Sequence, residues 1–357
     1  MWPSTRFTDL VETDLPLIQA PMIGPKPELA RAASANGALG SLGCASMTPD
    51  QVRAEAAAIR AVTDKPFNLN FFAHTPAPEN AEKAAAWKAR LAPYYAELGL
   101  DAAAPIAVTN RAPFDATMCA VVEEVRPRVV SFHFGLPDAG LLARVKAAGA
   151  VVLSSATTAE EAAWLEAHGA DAIIAQGAEA GGHRGMFLTD DPARQVGIFA
   201  LVPQVVDAVK VPVIAAGGIA DGRGIAAAFA LGADAVQIGT AFLLTSEAGL
   251  SPIYRAALKG AASDATVLTN VFTGRPARGI VNRIMREEGP LSPRAPAFPT
   301  AAPPLGPLKA AAEAKGLGDF TALWSGQAGR LAREARVSEV LETFVTEAQA
   351  VMARFGR

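Results

Sequence analysis

Cysteine is almost absent: Cys44 and Cys119 are the only two in 357 residues, with neither metal-ligand spacing nor the makings of a disulfide framework. Charge is scarce as well, at 19% of residues, with a formal net charge of −3 and no run of lysine or arginine. A chain without a basic stripe is not built to hold nucleic acid or an anionic membrane. No uninterrupted apolar stretch is long enough to span a bilayer. The start, Met1-Trp2-Pro3-Ser4-Thr5-Arg6, lacks the apolar core of a signal peptide. These absences point to a cytoplasmic protein that handles a small molecule. They leave its oligomeric state open.

What is present is apolar. Hydrophobic residues make up 51% of the chain, enough for a large buried core. Short apolar runs at 17–20, 38–41, 67–71, 129–132, 150–153, 172–175, 211–216 and 235–238 read as strands, with helical segments between most of them. Gly37-Ala38, Gly149-Ala150, Gly169-Ala170 and Gly232-Ala233 repeat one junction, a helix stop followed at once by a strand. Thr48 with Gln51, and Thr158 with Glu161, read as capping boxes. Eight such units predict a closed (β/α)8 barrel, a TIM barrel, over 1–245, with an insertion near 74–110. Residues 246–357 read as a smaller, mainly helical cap, with helices near 252–260 and 330–355. It includes a segment at 290–307 that holds seven prolines.

Barrel chemistry sits at the carboxyl ends of the strands, and phosphates bind after the seventh and eighth. There the chain has Ala216-Gly217-Gly218-Ile219 and Gln237-Ile238-Gly239-Thr240. Backbone N–H groups in such turns suit a phosphate-anchored cofactor or substrate; tight turns with nothing bound are the plainer alternative. Asn70 in the third strand and Gln176 after the sixth offer amides to the mouth, as ligand contacts or as loop caps. The richest stretch is 176–185, which brings four glycines together with Gln176, Glu179, His183 and Arg184. His183 there suits proton transfer or substrate contact, against a hydrogen bond that merely steadies the loop. No second ligand stands at metal spacing from it, so no metal is expected. His74 and His133 follow strands and either line the mouth or support it. His168, beside Gly169 at a helix end, reads as structural. Cys44 is a reactive thiol or a small buried filler. Arg275, Arg278, Arg283 and Arg286 either tether the cap through ion pairs or meet an anionic substrate.

At these residues the sequence resembles the nitronate monooxygenase family, once called 2-nitropropane dioxygenases. The likeness runs along nearly the whole chain. It includes Gln19-Ala20-Pro21-Met22, Asn68-Leu69-Asn70-Phe71-Phe72, the stretch 176–185, Gly217-Gly218-Ile219-Ala220-Asp221-Gly222, Gln237-Ile238-Gly239-Thr240 and Leu323-Trp324-Ser325-Gly326-Gln327. The glycine-histidine loop is the most specific of these. The resemblance implies a barrel with a smaller helical domain that holds FMN non-covalently through Met22, Asn70, Gln176, Gly181, Gly218, Gln237, Gly239 and Thr240, in or beside the glycine turns that also contain Gly217 and Ile238. It implies that His183 is catalytic. The reaction implied is oxidation of an anionic alkyl nitronate, propionate 3-nitronate above all, by O2 to a carbonyl compound and nitrite through a flavosemiquinone. Related bacterial enzymes carry tyrosines and a lysine where the pocket closes; here that segment reads Ala297-Phe298-Pro299-Thr300. Phe298 and His133 are therefore expected at the substrate wall. Two other chemistries suit such a barrel: an FMN-dependent NAD(P)H:quinone or enoyl-thioester reductase, and a flavin-free phosphate-binding barrel.

Overall fold

Strands that are apolar along their whole length need cover on both faces, and a parallel sheet closed on itself provides it. The computed structural model describes residues 2–78, 80–106, 111–260 and 265–355, so the end of the expected insertion, Asn110, lies outside the described residues. The staves are β1 (Leu17–Gln19), β2 (Gly40–Gly43), β3 (Phe67–Phe72), β4 (Val129–His133), β5 (Val151–Ala156) and β6 (Ala172–Gln176). A two-residue strand, β7 (Gly182–His183), stands apart from them; β8 (Val213–Ala216) and β9 (Ala235–Ile238) complete the ring. All pairs in the order β1-β9-β8-β6-β5-β4-β3-β2 are parallel. A parallel bridge between Ile18 and Leu39 closes the ring. The fold is a TIM barrel.

Helix α1 (Arg6–Val11) plugs the amino-terminal end, burying Phe7 and Val11 against Ile18, Leu39 and Ile214. Seven helices follow staves around the outside: α2 (Glu28–Ala35), α3 (Pro49–Arg60), α5 (Ala116–Val125), α6 (Ala139–Ala147), α7 (Ala159–Ala167), α8 (Ile198–Ala208) and α9 (Gly222–Ala230). The insertion helix α4 (Ala81–Leu98) lies between β3 and α5 in the chain. Gly37, Gly149, Gly169 and Gly232 all take positive φ, as the repeated junction requires. The Thr48 capping box forms with both of its bonds. At Thr158 only half forms: its hydroxyl caps Glu161 N, but the Glu161 carboxylate turns to Thr157 and to the backbone N–H of Phe187. Four donors of the mouth loops claim that buried carboxylate, and they outweigh a single N-cap amide.

The remaining elements are α10 (Pro252–Lys259), β10 (Thr266–Thr269), β11 (Ala277–Ile280), α11 (Arg283–Glu288), α12 (Leu305–Ala314) and α13 (Val337–Phe355). Two features differ from a mainly helical cap over 246–357. First, β10 and β11 form an antiparallel hairpin, and β11 adds β7 to it, with Ala277 opposite His183. Second, α13 leaves the cap segment and packs on α9 and α2, which is the eighth helix position of the barrel. The expected boundary at 245/246 therefore cuts through the helix ring. The expected helix over 330–355 also shortens, because a separate 3-10 turn covers Gly329–Leu331. The insertion and the cap segment share one apolar cluster, in which Trp87, Leu91 and Tyr95 of α4 meet Leu305 and Leu308 of α12. Arg90 at 2.8 Å from the buried Glu288, and Arg283 at 2.6 Å from Glu97, tie the same two segments. Among the described residues no helix is long and apolar enough to cross a membrane.

The place of α13 has a measurable consequence. Phe344 is buried and meets Phe242 of the barrel ring-edge at 5.8 Å. Phe344→Ala should cost about 3–5 kcal/mol, the usual penalty for emptying a buried aromatic site. Thermal unfolding followed by far-UV circular dichroism should register a loss of the whole barrel at lower temperature. A local loss of one helix, with the main transition unmoved, would contradict the assignment.

Candidate active site

The carboxyl ends of the staves surround a cavity lined by Met22, Asn70, His133, Gln176, Gly181, His183, Gly217, Gly218, Gln237, Gly239 and Thr240. The sequence therefore names most of one wall. It gives no role to Phe72 and Trp324 and does not single out Arg111, Ser155 or Tyr254, all of which also line the cavity. Two expected residues lie elsewhere. Ile238 points out of the barrel into the apolar layer, 1% exposed, because side chains alternate along a strand and Gln237 takes the inward direction. Phe298 is buried one layer behind, its ring edge-on to His183 at 5.7 Å and to His74 at 4.8 Å.

His183 sits on β7, where pairing with Ala277 fixes its backbone between the mouth loop and the cap segment. Its carbonyl oxygen accepts hydrogen bonds from Gln176 Nε2 at 3.0 Å and His133 Nε2 at 3.1 Å. A carbonyl can only accept, so His133 carries its proton on Nε2 and takes Ser155 Oγ–H on Nδ1 at 3.0 Å. The His183 imidazole meets Thr273 Oγ1 through Nε2 at 2.9 Å, and its Nδ1 has no partner among the described residues. Phe72, Phe134, Phe298 and Trp324 surround the ring. Burial, then the positive charge of Arg111, with His133, Arg275 and His74 adding to it, holds the His183 pKa well below the ordinary value. The imidazole is therefore neutral at neutral pH.

Its two neighbours follow the same physics. Burial lowers His133 to about 4, against the hydrogen bond to the His183 carbonyl and with Arg184 and Arg275 adding to the fall. Burial, helped by Arg275, lowers His74 to about 4. Both fold as neutral groups, whereas the unfolded chain takes up protons near 6.5. As pH falls the unfolded state therefore binds protons first, and stability present above pH 6.5 is lost on the way to pH 4. The melting temperature should be lower at about pH 5 than at about pH 7.5, by calorimetry at constant ionic strength. An unchanged value would mean that these imidazoles are not held neutral.

The two expected amides divide. Gln176 is used at both ends inside its own loop, donating to the His183 carbonyl and accepting Gly185 N at 2.8 Å. Asn70 gives its Nδ2 to Ser131 Oγ at 2.8 Å and to the Ser131 carbonyl, so its oxygen is the end left for the cavity. Arg184, 1% exposed, donates to the carbonyls of Gln176 and Gly177 and to Gln195 Oε1, and so staples the loop from beneath. Arg278 does the same for Ala178, while Arg283 pairs with Glu97 and Glu287; the basic segment is mostly structural. His168 stacks on Trp164 at 3.8 Å, away from the cavity. Burial pushes the Cys44 thiol up to about 12, so it is a filler and not a nucleophile.

Across the barrel, Gly217 and Gly218 both take positive φ, at 108° and 70°, which a side chain would resist. A Cβ on Gly217 would also stand 2.9 Å from Ala180 N. Gly239 and Thr240 open a short 3-10 helix at the end of β9. Among the described residues, no backbone acceptor pairs with the N–H of Gly218, Gly239 or Thr240. Beside them Gln237 Oε1 is buried without a hydrogen-bond partner. Unmet donors and a buried unmet acceptor around one cavity suit a polar ligand. Among the described residues, no group of three or more His, Cys, Asp or Glu side chains could hold a metal ion.

Comparison with known proteins gives one answer at three levels. The family model described as nitronate monooxygenase matches residues 4–347. The chain is 44% identical to nitronate monooxygenase of Pseudomonas aeruginosa, over 96% of this chain and 98% of that protein. It is 45% identical to nitronate monooxygenase of Paraburkholderia phytofirmans, over 93% of this chain and 92% of that protein. Among solved structures, nitroalkane oxidase from Streptomyces ansochromogenes matches with a TM-score of 0.89 and 39% identity, covering 98% of this chain and 100% of that one. FabK from Thermotoga maritima matches with a TM-score of 0.72 and 29% identity, covering 99% of each chain. The two curated relatives and both solved structures match over nearly their full length. The chain belongs to the nitronate monooxygenase family.

Proposed function

We propose that this protein is an FMN-dependent oxidoreductase that oxidises alkyl nitronates, with propionate 3-nitronate as the expected best substrate, using O2 and releasing a carbonyl compound and nitrite. The observation that carries the reading is the neutral His183, with Nδ1 unpartnered among the described residues, in one cavity with two phosphate-type glycine turns. FMN fits the groups left unmet. Its phosphate would take the N–H groups of Gly218, Gly239 and Thr240, and its polar ring edges would meet Gln237 and Asn70. Met22 and Gly181 would line the same wall, and Gln176 would act by holding the loop. When bound, FMN supplies the redox step, accepting electrons from the substrate and returning them to O2.

The chain's own residues supply the rest. With a neutral nitroalkane, His183 Nδ1 removes the α proton and the imidazolium is held through Nε2 by Thr273 Oγ1. With a preformed nitronate no proton need move, and the imidazole orients the anion. The aromatic ring of Phe72, Phe134 and Phe298 keeps water from the reacting carbon. The test is direct. Protein loaded with FMN and mixed with propionate 3-nitronate in air should consume O2 and release nitrite. A yellow protein that does neither would sink the proposal, and rapid anaerobic bleaching by NADH or NADPH would replace it with the reductase reading.

A further inference from the structure

We propose that Arg111 is the specificity-determining anchor of this cavity, holding a carboxylate at the end of the substrate remote from its reacting carbon. The inference rests on the nitronate-oxidising reading and adds a residue and a substrate feature to it. Arg111 lines the cavity together with His183 and Phe72. It forms no ion pair or hydrogen bond among the described residues, and its Nη1 is sealed from solvent without a partner. Arg111 is half-buried, and the buried arginines Arg184 and Arg278 do not behave this way: they donate to main-chain carbonyls. Arg275 also has a partnerless Nη1, but its guanidinium lies 4.3 Å over the Phe134 ring and it does not line the cavity.

A guanidinium partly withdrawn from water, with one nitrogen sealed and no counter-charge, lowers stability, and a ligand carboxylate would bring the missing charge. The cavity wall supplies none among the described residues: no aspartate or glutamate of theirs lines it, and Arg111 is their only arginine or lysine there. The cofactor phosphate is not the missing anion. Arg111 ends the connection that leaves β3, and in the ring order β3 stands opposite β8, which carries Gly217 and Gly218. No second cationic side chain of the Lys or Arg type lines the cavity among the described residues to meet a carboxylate. Phe298 has no hydroxyl, the Tyr254 hydroxyl donates to the Trp324 carbonyl, and Lys309 lies on α12 beside Glu313. A guanidinium fork matches a carboxylate with two parallel hydrogen bonds. Held on the nitronate itself, the same charge would oppose loss of electrons from it. At a remote carboxylate it contributes binding without that penalty.

The experiment compares Arg111→Met and Arg111→Lys, loaded with FMN, on propionate 3-nitronate and on butyl 1-nitronate, whose tail is uncharged. Arg111→Met should lower kcat/KM for the carboxylated substrate about 100-fold, mainly through KM, and at least about ten times more than for butyl 1-nitronate. Arg111→Lys should recover part of the loss because it restores charge without the fork. Equal losses on both substrates, or none on either, would overturn the proposal. A second readout does not depend on turnover: malonate binding to the FMN-loaded protein by calorimetry. Wild type should bind malonate, and Arg111→Met at least about 30-fold more weakly. Should wild type oxidise no nitronate at all, the functional reading fails, and the malonate titration still decides the anchor. Unchanged affinity in Arg111→Met, or no binding to wild type, overturns it.

Discussion

His183→Asn should lower kcat/KM for a neutral nitroalkane such as nitroethane by about 10³-fold, within the usual range for a lost general base. For preformed ethyl nitronate the fall should be about tenfold, because only orientation is lost when no proton has to move. Asparagine keeps a donor and an acceptor near Thr273 but cannot take up a proton near neutral pH. The pH profile gives a second handle. An ordinary histidine base would fade as pH falls through its usual value of 6.5, whereas burial and the Arg111 charge hold His183 neutral well below it. The nitroalkane rate should therefore stay level through pH 6.5 and fall only at more acid pH. A base with so low a pKa is also a weak one, so wild type should favour the nitronate over its conjugate nitroalkane. Oxygen uptake on both substrates, for both proteins, measures all three effects. Equal losses on the two substrates would remove His183 from proton transfer.

The barrel was legible because its signals are local. Gly149 before Ala150, or Gly169 before Ala170, ends a helix and starts a strand within two residues, and nothing distant has to be known. The two glycine turns were legible for the same reason. What the sequence hides is closure in space. Strand β7 is two residues long, too short to carry any periodicity, and its partner β11 lies far along the chain. Arg111 and Thr273 come from segments with no motif, Trp324 from a motif whose place its residues do not give, and they reach the mouth only when the cap segment folds over it. For Gln176 the sequence leaves ligand contact and loop capping open, because its acceptor and donor, the His183 carbonyl and Gly185 N, are supplied by the turn of its own loop. Ile238 could have been sorted in advance: if Gln237 faces inward, strand alternation sends its neighbour outward. The sequence groups α13 with the cap although it packs on α9 and α2, because an amphipathic helix does not say which apolar surface it covers.

Arg184→Met should destabilise the protein by about 3–5 kcal/mol and weaken FMN binding with it. Composition rules put arginine at the surface, yet Arg184 is among the largest fully buried side chains. Burial lowers its pKa to about 9, with Arg278 adding to the fall and Glu179 and Glu161 opposing it, so it stays charged at neutral pH. Its guanidinium donates at 2.6 Å to Gln176 O, 2.7 Å to Gly177 O and 2.7 Å to Gln195 Oε1. Methionine fills much of the volume but takes a donor from all three acceptors; Gly177 O keeps only its bond from Ala180 N, and each lost bond costs about 1–3 kcal/mol. Relief from burying a cation offsets part of that sum. Arg184→Lys keeps the charge but not the fork, and should fall between wild type and Arg184→Met. The loss should lower the melting temperature by about 5–10 °C. It should also release the loop that carries His183, so a flavin titration should give weaker FMN binding in Arg184→Met even where the barrel remains folded. A melting temperature and FMN affinity both near wild type would mean that pairing of β7 with β11 holds the loop without its staple.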